Sequence, residues 1–408
     1  MVARFSPRST KTTIVLFALV CAACSPADEV SPGDQVKECT GVLIAPHSIG
    51  LAVGDSTQFA VSYDQSTPCT PPAPVEQLRW SSSDQYIARV DSVSGVISGV
   101  AADTVQIGVH LPGTTAPLGT GRVVVFAPLL DRIITIRQRI TCHDPSCQLW
   151  SGNGPIGIWT VSLTGVGLQL VRDSMRYPDH PRVSPDGRNI VFDEWDTLYV
   201  MDGAGQVVRP VPTGLPSNVG ASWSPDGQWI LFSGFDAASG KFQLYRIHPN
   251  GSGLRHLTDD PFGASQASFS PDGSTIAFVR DSMANSRQAG AARLMDTSGA
   301  NIRVASGDST PFYGRYPEWS PDGNGLVFID NSRVRRLVLA TGAYDTIGAY
   351  FGNRPASWSP DGTRILISGG DISYLDPAKR YPNNGYPLLP GLGPDSMISW
   401  SAFYTPKR

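Results

Sequence analysis

The sequence predicts an all-β chain, a small β-sandwich followed by a six-bladed β-propeller, and three observations carry that expectation. Gly and Pro number 42 and 34 of 408 residues, above their usual shares of about 7% and 5%, while no long Ala/Glu/Lys/Leu stretch exists to build a helical bundle. Short apolar segments separated by turn residues follow one another from about residue 42 onward. One tetrapeptide, Ser-Pro-Asp-Gly, recurs five times at nearly regular spacing. Charged residues make up 16% of the chain and the formal net charge is −3. With no basic surplus to meet phosphate, a nucleic-acid partner is not expected.

Residues 1–23 read as an export signal. Arg4, Arg8 and Lys11 precede an apolar run from Ile14 to Ala23, which is too short for the roughly 20 residues of a spanning helix and suits a signal peptide. The run ends Cys21-Ala22-Ala23-Cys24-Ser25. This resembles the lipobox of bacterial lipoproteins, in which small residues precede a cysteine that is lipidated and becomes the first residue. The resemblance implies lipidation at Cys24 and, from Ser25, passage to the outer membrane, facing either the periplasm or the surface. An ordinary secretory signal that contains cysteines is the other reading. Residues 24–38, rich in Ser, Pro, Asp and Glu, form a tether.

Setting aside Cys21 and Cys24 leaves Cys39, Cys69, Cys142 and Cys147. Four cysteines allow three connectivities, and pairing within each expected domain favours Cys39–Cys69 and Cys142–Cys147. An oxidising compartment suits disulfides. A metal site is not expected, because no CxxC spacing or His pair accompanies the four, and no cofactor is expected.

The sandwich is placed at residues 39–127. Ile49, Leu51 and Val53 alternate, Gly54-Asp55 turns, and Phe59, Val61 and Tyr63 alternate again, a hairpin signal. Strands follow at Leu78 and Trp80, Ile87–Val90, Val96–Val100, Val105–Val109 and Val123–Val125, a number that argues for a β-sandwich. The run Trp80-Ser81-Ser82-Ser83-Asp84, then Ile87-Ala88-Arg89-Val90-Asp91 and Gly95-Val96-Ile97-Ser98-Gly99-Val100, resembles the bacterial immunoglobulin-like family, group 2, over residues 42–126. The resemblance implies a spacer or adhesive module with Trp80 in its core. The expected fold is therefore an immunoglobulin-like β-sandwich followed by a six-bladed β-propeller.

The propeller is placed at residues 129–408. Ser-Pro-Asp-Gly begins at Ser184, Ser224, Ser270, Ser320 and Ser359, at spacings of 40, 46, 50 and 39 residues. Trp223, Phe269, Trp319 and Trp358 immediately precede it, with Val183 in the first copy. Each copy is followed by an apolar strand such as Ile190-Val191-Phe192 and then a second such as Leu198-Tyr199-Val200-Met201. Pro sets the φ of the first corner, Asp tolerates the second, and Gly takes the left-handed position. Five such units with one strand order mean blades of a β-propeller. They resemble TolB-type propeller repeats over roughly residues 130–405, although TolB has an α/β domain before its propeller where this chain has the sandwich. Strands at Ile133–Ile136, Ile158–Leu163 and Leu168–Val171 lack an opening motif, and the degenerate Trp400-Ser401 copy supplies it. A carboxy-terminal strand completing the first blade makes six blades and leaves no sheet edge.

Tight turns gather on one face of such a ring and long loops on the other: Arg137–Gly157, Thr258–Ser265, Asp281–Ala291, Ser306–Arg315 and Arg380–Asp395. These loops and adjoining turns bring Trp150, Trp195, Phe262, Phe312, Tyr313, Phe351 and Tyr381 to the face where binding usually lives. Residues just before each inner strand are expected to ring the channel mouth there, namely Asp179, His180, Asn218, Gln266, Arg315, Arg354 and Asp395. Their mixed donors and acceptors suit a peptide, a carboxylate-bearing chain end or a sugar; they also serve simply to solvate a channel.

A peptidase of the prolyl oligopeptidase type requires a Gly-x-Ser-x-Gly elbow, and the chain has none. His143, His180 and His256 are scattered, so no catalytic residue is assigned and an enzyme is not expected. The favoured function is a lipid-anchored envelope protein whose propeller is a protein-interaction scaffold, with an envelope protein or peptide at the long-loop face. A surface glycan-binding or adhesive lipoprotein is the alternative, followed by a propeller-type polysaccharide lyase or hydrolase.

Overall fold

The structure is a computed structural model. It describes residues 38–402 except 67, 131, 139–140, 143–149, 152–155, 163–167, 282–291, 307–313, 331, 350–354, 369–371, 380 and 382–399. The expected signal, Cys24, its tether, Cys147, Arg354 and Asp395 lie outside the described residues. The chain divides into two compact units, Met1–Ala127 and Pro128–Arg408. Strand is the dominant element, with a single 3₁₀ turn at Val75–Gln77 among the described residues. No helix among them is long and apolar enough to cross a membrane.

In the first unit, a four-stranded sheet runs Ser48–Ala52, Gly119–Phe126, Asp103–His110, Arg79–Ser82, and a three-stranded sheet runs Ser56–Gln58, Val96–Gly99, Ala88–Val90. Val42–Ala45 pairs with Ala60–Tyr63. Residues from these strands, with Phe59 and Leu78 beside them, fill one core around Leu51, Trp80, Ile97, Ile107 and Val123. The expected hairpin around Gly54-Asp55 is not formed. The turn exists, with Gly54 at φ 87°, but Ser48–Ala52 pairs in parallel with Gly119–Phe126 and Ser56–Gln58 pairs with Val96–Gly99. Gly54 N–H donates to Gly99 O, so the turn is a corner between sheets. Period-two patterning specifies which side of a strand is buried and not which strand lies beside it. Cys39 and Cys69 form a disulfide closing a separation of 30 residues.

In the second unit, five sheets begin at an inner strand that ends on Ser-Pro-Asp-Gly. They are Pro178–Pro210, Asn218–His256, Ala264–Val304, Arg315–Ala349 (four strands each) and Ser357–Leu375 (three described strands). The turn does more than bend the chain. In the first copy Ser184 Oγ donates to Asp186 Oδ1 (2.5 Å) and accepts from Asn189 N–H (2.9 Å), while Asp186 Oδ1 also accepts from Arg188 N–H (3.1 Å). The same three bonds recur in all the other copies. Each motif glycine has φ between 69° and 73°, which an L side chain resists. Phe192, Phe232, Phe278 and Phe328, at one register position of the next strand, are fully buried.

The remaining sheet of this unit with more than two strands runs Gln169–Met175, Ile156–Ser162, Arg132–Gln138, Trp400–Ala402. Ile133, Ile134 and Thr135 pair with Ala402, Ser401 and Trp400. The degenerate carboxy-terminal copy therefore supplies the inner strand of the sheet that chain residues 132–175 begin. Within the expected long loop, Thr141–Cys142 pairs with Trp150–Ser151.

Candidate functional site

Each fully described inner strand carries a bulge four residues before the motif serine. Register shifts fall between Asp179/Arg182, Val219/Ser222, Ser265/Ser268 and Arg315/Glu318. The bulged residues are left-handed: His180 (φ 48°), Gly220 (67°), Gln266 (54°) and Tyr316 (55°). Only glycine adopts this freely; elsewhere it costs about 1–2 kcal/mol per residue. The four line one small cavity of about 30 Å³ together with Arg182, Glu318 and Pro355, enough for ordered water rather than an organic ligand.

His180 is the imidazole among the groups lining this throat. Its Nδ1 lies 3.0 Å from Asp193 Oδ1, and that oxygen also accepts from Gly220 N–H (3.1 Å). Asp179 Oδ2 stands 4.0 Å from the same nitrogen. Burial of the ring opposes its charged form, but the charge and hydrogen bond of Asp193 and the charge of Asp179 outweigh burial and the opposing Arg182. Together they hold the His180 pKa above its ordinary 6.5.

Two positions further along each strand, Arg182, Ser222, Ser268, Glu318 and Ser357 face a second cavity of about 100 Å³. It is walled by Trp223, Phe269, Trp319, Trp358 and by Pro185, Pro225, Pro271 and Pro321. Arg182 Nη2 and Glu318 Oε1 form an ion pair between sheets separated by two others in the ring order, so the pair bars the channel. The neighbours latch one sheet to the next across three seams. Ser222 and Ser268 hydroxyls donate to Ala267 O and Pro317 O (3.1 and 2.7 Å), and the Trp223 and Trp319 indoles donate to Arg182 O and Ser268 O (3.0 and 3.2 Å).

The residues expected to precede the inner strands sit inside them. Asp179 and His180 belong to Pro178–Val183, Asn218 opens Asn218–Trp223, Gln266 is central in Ala264–Phe269, and Arg315 opens Arg315–Trp319. The bulge explains the displacement, since it carries the strand one residue further than an even alternation does. Asp179, His180 and Gln266 reach the throat region. Asn218 instead is buried, its Nδ2 donating to Asp196 O and Leu215 O (3.1 and 3.3 Å), and Gln266 Oε1 is occupied by Tyr316 N–H (2.9 Å). Arg315 is exposed. Arg182, Asp193, Tyr316 and Glu318 were missed, although counting back two and four residues from each motif finds three of them. Of the expected aromatic residues, Trp195 and Phe262 are exposed, and Tyr381 packs against the core around Val327 and Trp358. No group of three His, Cys, Asp or Glu suited to a metal occurs among the described residues.

Residues 158–339 match the family model of PD40, the TolB beta propeller domain. Over 158 residues the chain is 30% identical to an uncharacterized protein of Agrobacterium fabrum, covering 36% of this chain and 52% of that one. Over 125 residues it is 35% identical to the Tol-Pal system protein TolB of Gluconobacter oxydans, covering 29% of this chain and 23% of that one. The chain thus spans about half the length of the first relative and under a quarter of the second. The crystal structure of TolB from Acinetobacter baumannii aligns at TM-score 0.50 and 13% identity, over 88% of this chain and 98% of that one, a likeness of fold. The second unit accordingly has a TolB-like propeller fold in an all-β chain.

Proposed function

We propose that this chain is a lipid-anchored protein of the bacterial cell envelope whose propeller is a non-catalytic protein-interaction scaffold. In this reading residues 1–23 are removed, Cys24 carries the lipid, residues 24–38 are a tether, 39–127 form an immunoglobulin-like sandwich, and 129–408 form six blades. A disulfide between Cys142 and Cys147 ties the first long loop, and partners approach the face bearing Asp179, His180, Gln266, Arg315, Arg354 and Asp395.

The observation that carries the reading is the barred channel. Ligand pockets measure roughly 300–1,000 Å³, whereas the two channel cavities measure about 30 and 100 Å³ and the Arg182–Glu318 pair separates their ends. A propeller whose channel is crossed by this ion pair offers its faces. The likeness of part of the chain to a Tol-Pal system protein supports an envelope partner. The test is capture from a detergent-solubilised envelope fraction with the purified full chain, run beside a glycan array. Recovery of a defined envelope protein without saccharide binding is expected; saccharide binding without protein recovery overturns the scaffold. Mass spectrometry of the mature amino terminus tests Cys24, and an unmodified Cys24 removes the anchor.

A further inference from the structure

The hairpin between Asn189–Glu194 and Thr197–Asp202 turns in two residues, since Glu194 pairs with Thr197. Trp195 and Asp196 occupy the turn at φ 50° and 63°. A tight turn with both central residues left-handed strongly prefers Asn-Gly or Asp-Gly, and a bulky residue there is an outlier. After Asp330, which pairs with Arg333, the sequence reads Asn331-Ser332. The turn itself therefore gives no reason for a tryptophan at this place.

The strained side chain is also exposed. Trp195 is 62% and Tyr177 64% exposed, and their rings meet edge to face with centroids 5.0 Å apart at 83°. The pair is held from beneath. Glu194 Oε1 accepts from Arg176 N–H (2.6 Å) and Tyr177 N–H (3.4 Å), joining the two segments that carry the rings. Asp196 Oδ1 accepts from Ser217 Oγ (2.7 Å) and Asp196 O from Asn218 N–H (2.8 Å), joining the turn to the next sheet. An aromatic pair fixed in this way loses little freedom on binding. The charged groups next to the rings in sequence that are not buried are unequal: Asp179, Glu194 and Asp196 stand within three residues of one ring or the other, against Arg176 and His180.

We propose that Trp195 and Tyr177 form a docking surface for a lysine- or arginine-bearing segment of a protein partner, its cationic side chain lying on the rings among the surrounding carboxylates. Tryptophan is the strongest cation–π acceptor among the side chains, and the excess of carboxylates attracts the same charge. The inference rests on the scaffold reading and names the chemistry of its partner.

The experiment titrates the full chain with octa-arginine, octaglutamate and cellohexaose at 20 and 300 mM salt, by calorimetry. Trp195→Asn and Tyr177→Ser leave the charge unchanged, so a general attraction of the peptide to an acidic protein is subtracted. Octa-arginine is expected to bind, less tightly at high salt, and about fivefold more weakly to either variant; the other probes are expected not to bind. Trp195→Asn is expected to melt no lower than the native chain, because asparagine suits the turn, so lost binding is not lost folding. Equal octa-arginine affinity in native and variant chains overturns the proposal, as does cellohexaose binding that depends on Trp195 or no binding of octa-arginine at all. If octa-arginine binding ignores both substitutions while the native chain still captures an envelope protein, this surface is refuted and the scaffold stands.

Discussion

The Arg182–Glu318 bar makes a quantitative demand on the propeller. Both side chains are about one-fifth exposed (20% and 17%), and both face a cavity whose walls are mostly aromatic and proline. Removing one partner of a buried pair costs about 3–5 kcal/mol because the other charge is stranded; the residual exposure here reduces that to about 2–3 kcal/mol. Replacing both with apolar residues of similar size costs little, since the desolvation of two charges is relieved with the loss of their attraction. Arg182→Met and Glu318→Leu are each expected to lower the propeller's unfolding free energy by about 2–3 kcal/mol, or its Tm by about 5 °C or more. The double variant is expected to return to within about 1 kcal/mol of the native chain. Trp223, Trp319 and Trp358 line the same cavity, so urea titration followed by tryptophan fluorescence reads the transition where the change is made. A coupling energy below about 0.5 kcal/mol, within the range of independent sites, refutes a bar across the channel. Capture of an envelope partner by the double variant is expected to be unchanged, since the pair lies below the docking face.

Two further outcomes are expected. Gly95→Ala places a Cβ 2.5 Å from the Trp80 indole at a φ of +72°, so it is expected to cost the first unit about 2 kcal/mol or more; amide exchange is expected to quicken in the strands around Trp80 and to stay unchanged in the propeller, and unchanged exchange throughout refutes the contact. The raised His180 pKa makes its contribution fully present below the unfolded value and lost as pH rises through the folded one. The stability advantage of the native chain over His180→Asn, which tolerates the left-handed backbone, is therefore expected to shrink from about pH 6.5 upward, and Asp193→Asn is expected to lower the His180 titration midpoint followed by NMR; a midpoint that ignores Asp193 refutes the assignment.

The repeat was the most legible part of the molecule because its signal is local. Pro and Gly report their own φ, and Ser and Asp stand two residues apart so that one hydroxyl can serve one carboxylate, although the reason for the serine only became visible as its bond to Asn189 N–H. The carboxy-terminal strand was legible for the same reason, as a worn copy of that unit in register with Ile133–Thr135. The Gly54-Asp55 corner was misread because the residues that turn a hairpin also turn a strand from one sheet to another, and only the pairing with Val96–Gly99 and Gly119–Phe126 distinguishes them. The throat residues were close but displaced, because a bulge depends on the neighbouring strand and leaves no composition of its own. Arg182 and Glu318, 136 residues apart, have no local pattern connecting them.

Aligning the copies on the motif serine turns that blindness into a usable rule. Two residues before it stand Ser222, Ser268 and Ser357 in three copies, small hydroxyls, of which Ser222 and Ser268 hold adjacent sheets together; the other two copies have Arg182 and Glu318. Four residues before it, glycine occupies the bulge once and His180, Gln266 and Tyr316 accept strain in its place. At the outer hairpin, Trp195 stands at φ 50°, where a small polar residue or glycine suits the turn. A repeat fold needs only the common residue at each of these positions, so a copy that departs from it at a cost in backbone or desolvation energy has been shaped by something other than folding. By that measure the sheet from Pro178 to Pro210, which holds the strained histidine and the exposed tryptophan, is the one that carries the proposed docking surface.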